Sequence, residues 1–82
     1  YVPAERRVIR RLAELAAIYD SGEPAVEVPS SQADLATLAG TTRPTTNRIL
    51  RRLETDGVVT LERGRTVIGD PTALQRLAAS ST

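Results

Sequence analysis

Between residues 31 and 57 the signals that start and stop helices stand so close together that they allow only two short helices and a tight turn. The sequence Ser-Gln-Ala-Asp at 31–34 is typical of a capping box, with Asp in the place usually taken by Glu or Gln. Gly40 ends the first helix after barely two turns, and threonines start a second helix that ends at Gly57. Two short helices joined through a glycine turn are the helix-turn-helix pattern, which we therefore predict here.

The second helix has its start defined by Pro44, which is tolerated in a first turn because its missing N–H would be unpaired there anyway. The proline also disfavours the helical conformation at Arg43, so the cap residue is either Thr42 or Arg43. We predict a helix over residues 43–56. Ala36 supplies the small side chain that the first helix needs where the second crosses it closely.

On a helical wheel of about 100° per residue, the second helix has an apolar face and an arginine-rich face. The residues of the apolar face, which we expect to be buried, are Thr46, Ile49, Leu50 and Leu53. The opposite side and its flanks carry Pro44, Thr45, Asn47, Arg48, Arg51, Arg52 and Thr55. Arginine suits guanine edges and phosphates, and asparagine pairs bidentately with adenine. These residues alone leave two interpretations open, a helix that lies in a DNA major groove and a surface helix with solvated arginines.

A β-hairpin is predicted after the second helix, with strands at 58–61 and 66–68 joined by a turn at 62–65 that contains glycine. A hairpin in this place is a wing. Arg63 and Arg65 at its tip would lie beside phosphates, and the alternative is an arginine-tipped hairpin that is merely exposed.

The flanking segments predict further elements, namely a first helix over 4–19, a strand at 25–28 and a last helix over 72–78. Leu74 and Leu77 of the last helix are expected to point inward, and residues 80–82 to fray. The apolar stripe of the first helix consists of Val8, Ile9, Leu12, Leu15, Ala16 and Tyr19. The fold class is therefore mainly α with a small β wing, in the order helix, strand, helix, helix, hairpin, short helix.

Composition excludes several classes of function. The chain has no histidine and no cysteine, which removes the commonest general base, thiolate metal sites and disulfides, and its acids are scattered, so we predict no enzyme. The only two aromatic residues are tyrosines, so the chain nearly lacks the aromatic platforms that stack single-stranded bases. No apolar run approaches the ~20 residues that span a membrane, and no signal peptide is visible. At 82 residues without methionine, the chain is interpreted as one domain, 1–82, cut from a longer protein.

The charges are unevenly distributed along the chain. Residues 1–40 hold four arginines and six acids, whereas residues 41–82 hold seven arginines and four acids. Four acids and no base lie between residues 20 and 34, an edge that would repel DNA. The arginines of the first helix either form a solvated face or approach a phosphate backbone; they are Arg6, Arg7, Arg10 and Arg11.

Three motifs give the chain a resemblance to a known family. They are Q-x-D-L-A ending in glycine, R-x-T-x-x-R-x-L-x-x-L in the second helix, and R-G-R-x-V-I followed by Asp-Pro. Over residues 26–77 the chain resembles the C-terminal DNA-binding domain of the cyclic-AMP receptor and fumarate–nitrate regulator (Crp–Fnr) family of bacterial transcription regulators. Regulators of the GntR type share the first two motifs and usually lack the third, so a GntR-like domain is the closest alternative.

The resemblance implies a set of DNA contacts. Arg48 matches an arginine that reads guanine, Thr45 matches a phosphate contact, and Pro44 stands where many members have a glutamate that accepts from cytosine. Proline at most touches a thymine methyl, and Asn47 is expected to compensate. The remaining residues that the resemblance and the helix start assign to DNA are Ser31 and Gln32, which match contacts of the first helix with the DNA backbone, and Thr42, Arg43, Arg51, Arg63 and Arg65. The expected arrangement is the helix 43–56 in the major groove and the wing 62–66 on the phosphates.

The resemblance also implies partners that lie outside this chain. A cyclic-nucleotide-binding-like barrel and a dimerisation helix would precede it, and the whole protein would be a cytoplasmic homodimer on a two-fold symmetric operator. No cofactor is expected in the chain itself, since a cyclic nucleotide or other small effector would bind the missing domain. The acidic loop 20–27 matches a contact surface for RNA polymerase in position. The runner-up function is a protein-interaction module, which should expose apolar residues on the outer face of the second helix.

Overall fold

Residues 3–80 are described by a computed structural model, in which they form four helices and one three-stranded antiparallel sheet. The elements are α1 Ala4–Tyr19, β1 Val26–Val28, α2 Gln32–Ala39, α3 Arg43–Thr55, β2 Val59–Glu62, β3 Arg65–Ile68 and α4 Pro71–Ala79. The predicted class and order, a mainly helical winged helix-turn-helix with a small β wing, are confirmed. Residues 81 and 82 of the segment expected to fray lie outside the described residues.

The predicted caps form as local sequence requires. The Ser31 hydroxyl accepts a hydrogen bond from the Asp34 N–H (3.1 Å), and the Asp34 carboxylate accepts one from the Ser31 N–H (3.3 Å), which completes the capping box. Gly40 ends α2 in the left-handed conformation at φ 67°. Thr42 is the cap of α3, since its hydroxyl accepts from the Thr45 N–H at 3.3 Å. The alternative cap at Arg43 is therefore wrong, because Arg43 is the first helical residue.

The core is aliphatic and lies between the four helices and one face of the sheet. All four residues predicted for the inner face of α3 are buried, Thr46 completely, and so is Ala36 of α2. The other buried hydrophobic residues are Val8, Ile9, Leu12, Ala13, Ala16, Val26, Val28, Leu35, Ala39, Val58, Val59, Ile68 and Leu74.

Two residues expected inside are exposed, and a third, Leu15, is only partly buried. Leu77 is 38% exposed because α4 packs on the core through Leu74, with Ala78 partly buried one turn later, and Leu77 falls beside that line. Tyr19 is 44% exposed because it is the last residue of α1, and burial along this helix ends at Ala16.

The sheet has the strand order β1-β3-β2, so the strand between the first two helices pairs with the wing. Val28 of β1 lies opposite Thr66 of β3, and Val59 of β2 lies opposite Ile68. The hairpin turn is shorter than predicted, because Arg65 is already paired with Glu62 in the ladder. Only two residues remain in the turn, and Gly64 supplies the positive φ (74°) that so tight a turn needs.

Candidate nucleic-acid interface

A concave surface lies between the start of α2, the outer side of α3 and the wing, and we call it the interface cleft. Seven of the eleven predicted site residues line it, and these are Ser31, Gln32, Arg43, Asn47, Arg51, Arg63 and Arg65. The other four lie outside the cleft on the first turns of α3 or at its cap, and they are Thr42, Pro44, Thr45 and Arg48. Three elements thus bring seven of the predicted residues together in one cleft.

The start of α3 is held in place by its own threonines. The Thr42 hydroxyl donates to the Thr45 hydroxyl at 3.0 Å as well as capping the helix, and the Thr46 hydroxyl donates to the Thr42 carbonyl at 3.0 Å. Arg43, Pro44 and Arg48 are exposed on this stretch. Within residues 3–80, neither Arg43 nor Arg48 forms an ion pair with a carboxylate. Both guanidinium groups therefore keep their donors for an outside partner.

Asn47 and Gln32 are joined by a hydrogen bond between α3 and α2. The Asn47 Nδ2 donates to the Gln32 Oε1 at 2.9 Å, and both side chains are half-buried at the wall of the interface cleft. The residues are fifteen positions apart, so helical spacing alone does not reveal the contact. Two residues predicted to touch DNA separately are therefore a connected pair.

Arg51 is tied to the wing through Glu54. The Glu54 carboxylate accepts from Arg51 at 3.0 Å and, through its other oxygen, from the Leu61 N–H of β2 at 3.1 Å. The backbone hydrogen bond from Leu61 and the guanidinium of Arg51 hold the pKa of Glu54 below its usual value. The i,i+3 spacing of Arg51 and Glu54 is visible in the sequence, but the contact with β2 was missed, because nothing local encodes it.

The two wing arginines have different surroundings. Arg65 pairs with Glu62 at 2.6 Å and with Glu27 of β1 at 3.1 Å, and its Nε also donates to Glu62 at 2.7 Å. The bond to Glu62 and the charges of both glutamates raise the pKa of Arg65. Arg63 lies exposed in the hairpin turn and forms no ion pair within the part of the chain that the structure describes.

Arg7 of α1 has a role that the sequence interpretation missed. Its Nε donates to the Ala39 carbonyl at 2.7 Å and a terminal nitrogen donates to the Gly40 carbonyl at 3.3 Å. A cation at the last carbonyls of α2 is favourable, because the helix dipole is negative there. The expectation of a solvated or phosphate-facing arginine is wrong for Arg7, since the residue is half-buried against α2.

Neither a cluster of metal-ligating side chains nor a membrane-spanning helix is found among the described residues. Residues 3–80 contain no group of three His, Cys, Asp or Glu side chains that could hold a metal ion. Over the same residues, no helix is long and apolar enough to cross a membrane.

Several solved structures that resemble this chain are described as transcriptional regulators. TTHA1359, a CRP/FNR-family regulator from Thermus thermophilus, superposes with a TM-score of 0.84 at 23% identity, over 99% of this chain and 43% of that one. The catabolite activator protein of Thermus thermophilus superposes with a TM-score of 0.78 at 30% identity, over 96% of this chain and 35% of that one. Oxidised CprK in complex with o-chlorophenolacetic acid superposes with a TM-score of 0.78 at 19% identity, over 94% of this chain and 34% of that one. The chain thus spans less than half the length of these solved chains.

The family comparison covers most of the chain. No curated protein matches the chain in a sequence search. The model of the Crp-like helix-turn-helix domain matches residues 6–77, which include every element of the interface cleft. The family and the fold are those of DNA-binding transcription regulators, which are not enzymes. The chain belongs to the Crp-like helix-turn-helix family.

Proposed function

We propose that this domain binds double-stranded DNA sequence-specifically, with α3 in the major groove and the wing against the phosphate backbone. The observation that carries the proposal is that Arg43 and Arg63, which have no ion-pair partner among residues 3–80, line the cleft where α2, α3 and the wing converge, while Arg48, also without one, is exposed on the same helix as Arg43. A duplex is a polyanion with base edges in its groove, and guanidinium groups bind both. Arg48 is the proposed guanine reader, and Thr45 the proposed phosphate contact.

The outer face of α3 supports DNA rather than protein as the partner. A protein-binding version should expose apolar side chains there, whereas α3 exposes Arg43, Arg48 and Arg51. The exposed large hydrophobic residues lie on other elements, and they are Ile18, Tyr19, Leu38 and Leu77.

The proposal extends to the whole protein of which this chain would be a part. It would act as a cytoplasmic bacterial homodimer on a two-fold symmetric operator, with half-sites about one helical turn apart. A cyclic nucleotide or other small effector would bind an additional N-terminal domain. The exposed loop 20–27 would contact RNA polymerase. The complex of CprK with o-chlorophenolacetic acid is consistent with a small-molecule effector in such a protein.

The first experiment is a selection from a randomised duplex pool at two salt concentrations. The wild-type chain should enrich a short motif containing a G·C pair, with an affinity that falls steeply as salt rises. Arg48→Ala should cost about 1–3 kcal/mol on the selected site and relax the preference at one base pair. Arg76→Ala, which removes an exposed arginine from α4, is the matched control and should leave the motif unchanged. If the chain binds DNA without enriching a motif, it contacts only the DNA backbone and the proposed sequence specificity is wrong. If it binds no DNA even at low salt, the protein-interaction module is favoured.

A further inference from the structure

The hydrogen bond between Asn47 and Gln32 links the second turn of α3 to the first residue of α2. Its length is 2.9 Å, and both amides lie half-buried on the wall of the interface cleft, near Arg43 and Arg51. The bond therefore connects the two helices of the motif at the surface that faces the proposed partner.

Both ends of this bond rest on well-anchored backbone. Gln32 follows Ser31, whose capping box with Asp34 fixes the first turn of α2. Asn47 follows the fully buried Thr46, whose hydroxyl donates to the carbonyl of the preceding turn. The orientation of the Asn47 amide is thus set before any partner arrives, which lowers the entropy cost of ordering it on binding.

The hydrogen-bonding capacity of Asn47 leaves one specific combination for a partner. An asparagine amide has two N–H donors and one acceptor oxygen, and one of the donors is taken by Gln32. One N–H and the Oδ1 remain, and this is the donor–acceptor pair that N7 and N6 of adenine require in the major groove. Adenine requires the N–H on the same side of the amide as Oδ1, so a bond from the other N–H to Gln32 leaves the whole adenine-reading edge of Asn47 available.

The part of Gln32 that makes this bond has no use in a phosphate contact. Phosphate oxygens only accept hydrogen bonds, so a contact with the backbone would engage the Gln32 NH₂ group, whereas Asn47 engages its carbonyl oxygen. The two roles are separable in experiment, because one predicts an effect on every duplex and the other an effect at a single base pair.

We propose that Gln32 is a positioning residue that holds the Asn47 amide in the orientation that reads an A·T base pair in the major groove. The inference rests on the proposed DNA-binding function and adds to it a specificity element composed of two residues from two helices. Asn47 makes the base contact and Gln32 acts through it.

The test repeats the duplex selection with Gln32→Ala, Asn47→Ala and the double variant. At one position the wild-type chain should prefer A·T by roughly tenfold or more, and both single variants should reduce that preference to about twofold or less. The double variant should lose no more than either single one, because the two residues act as one unit. Gln32→Glu keeps an acceptor for the Asn47 N–H, so it should retain the preference while its negative charge lowers the affinity for all duplexes at low salt.

The free protein provides a second readout. In a ¹H–¹⁵N spectrum the Asn47 side-chain amide should shift on Gln32→Ala and stay close to its wild-type position on Gln32→Glu, with the melting temperature of each variant recorded to check folding. An unshifted amide in Gln32→Ala would show that the contact is absent and overturn the inference.

The selection also separates failure of this inference from failure of the proposed function. If the wild-type chain enriches a motif and Gln32→Ala weakens all duplexes alike with the A·T preference intact, Gln32 is a phosphate contact and the inference is wrong. The inference is also wrong if the selected motif has no A·T preference, or has one that Asn47→Ala does not reduce. If the wild-type chain enriches no motif, base reading itself fails, and the proposed function falls together with the inference.

Discussion

Each arginine of the interface has its own neighbours, and these decide how much of its positive charge a polyanion can use. Arg65 faces two carboxylates, and Arg51 faces one. Arg43, Arg48 and Arg63 face none within 4.0 Å among residues 3–80. Each of these arginines carries one positive charge, but the charges of Arg65 and Arg51 are less available to DNA because carboxylates lie beside them. Only the structure shows this difference.

This difference predicts unequal salt effects for the two wing arginines. Arg63→Ala should weaken binding to all duplexes and reduce the slope of log affinity against log salt by about one, because one phosphate contact is lost. Arg65→Ala should change that slope less, because Glu27 and Glu62 already offset the charge of Arg65. Titrations of the wild-type chain and the two variants at several salt concentrations measure the slopes. Equal slope changes would mean that Arg65 leaves its carboxylates and contacts the DNA.

At the scale of elements, the sequence predicts what is encoded within a few residues. The capping box, the stop at Gly40, the buried face of α3 and the hairpin were all predicted, since each depends on neighbours in the chain or on a period. The pairing of β1 with the wing and the contacts of Arg7, Glu54 and Gln32 join distant segments. Such contacts depend on how the helices pack, so local patterns do not reveal them.

Arg7 is expected to stabilise the domain by joining α1 to the end of α2. Arg7→Ala removes two hydrogen bonds to the carbonyls of Ala39 and Gly40 and should lower the free energy of unfolding by about 1–2 kcal/mol. Arg10→Ala is the control on the same helix, and because Arg10 is exposed it should change stability by less than about 0.5 kcal/mol. Urea unfolding of both variants measures the difference. A similar effect from both would show that the bonds to α2 add nothing.

Glu54 is expected to make stability depend on pH, because its folded-state pKa is lowered by Leu61 and Arg51. A group with a lowered folded pKa stabilises the fold above its unfolded pKa, and that stabilisation is lost as the pH falls through the folded value. Glu54→Gln should therefore melt at a lower temperature than the wild-type chain at pH 7, and the gap should narrow well below pH 4.5, the ordinary value.

The measurement for Glu54 is a thermal melt followed by circular dichroism at neutral and acid pH. Glu14→Gln serves as the control, since Glu14 forms an exposed i,i+3 pair with Arg11 within α1. If the difference in melting temperature between the wild-type chain and Glu54→Gln stays constant down to strongly acid pH, the role assigned to the Glu54 charge is wrong.

At the scale of the whole molecule, exposed charges of opposite sign are concentrated in two regions. The interface cleft carries arginines, and the loop before β1 carries acids, with Asp20 and Glu23 exposed. Glu27, which sequence analysis assigns to the same acidic surface, belongs to the wing as well, because it pairs with Arg65. A substitution at Glu27 therefore alters the acidic loop and the wing together.

The proposed polymerase surface is tested most cleanly at Glu23. Glu23→Arg in the full-length protein should reduce transcription activation and leave the affinity for the operator unchanged, because the residue lies outside the interface cleft. In vitro transcription and a DNA titration on the same preparation measure the two effects. Glu27→Arg should reduce activation too, but it should also raise the affinity for all duplexes, because it removes a carboxylate that offsets the charge of Arg65. Loss of operator binding by Glu23→Arg would remove the assignment of this loop to polymerase.

The pairing of β1 with β3 has a consequence for how the chain folds. The segment between Val28 and its partner Thr66 contains both helices of the helix-turn-helix motif, so the pairing closes a long loop. Non-local strand pairing of this kind is slow compared with helix formation. During synthesis β1 leaves the ribosome long before β3 exists. Its backbone N–H and C=O groups therefore hydrogen-bond to water until the wing has formed. We expect α2 and α3 to form first, and the wing to lock last onto helices that are already in place.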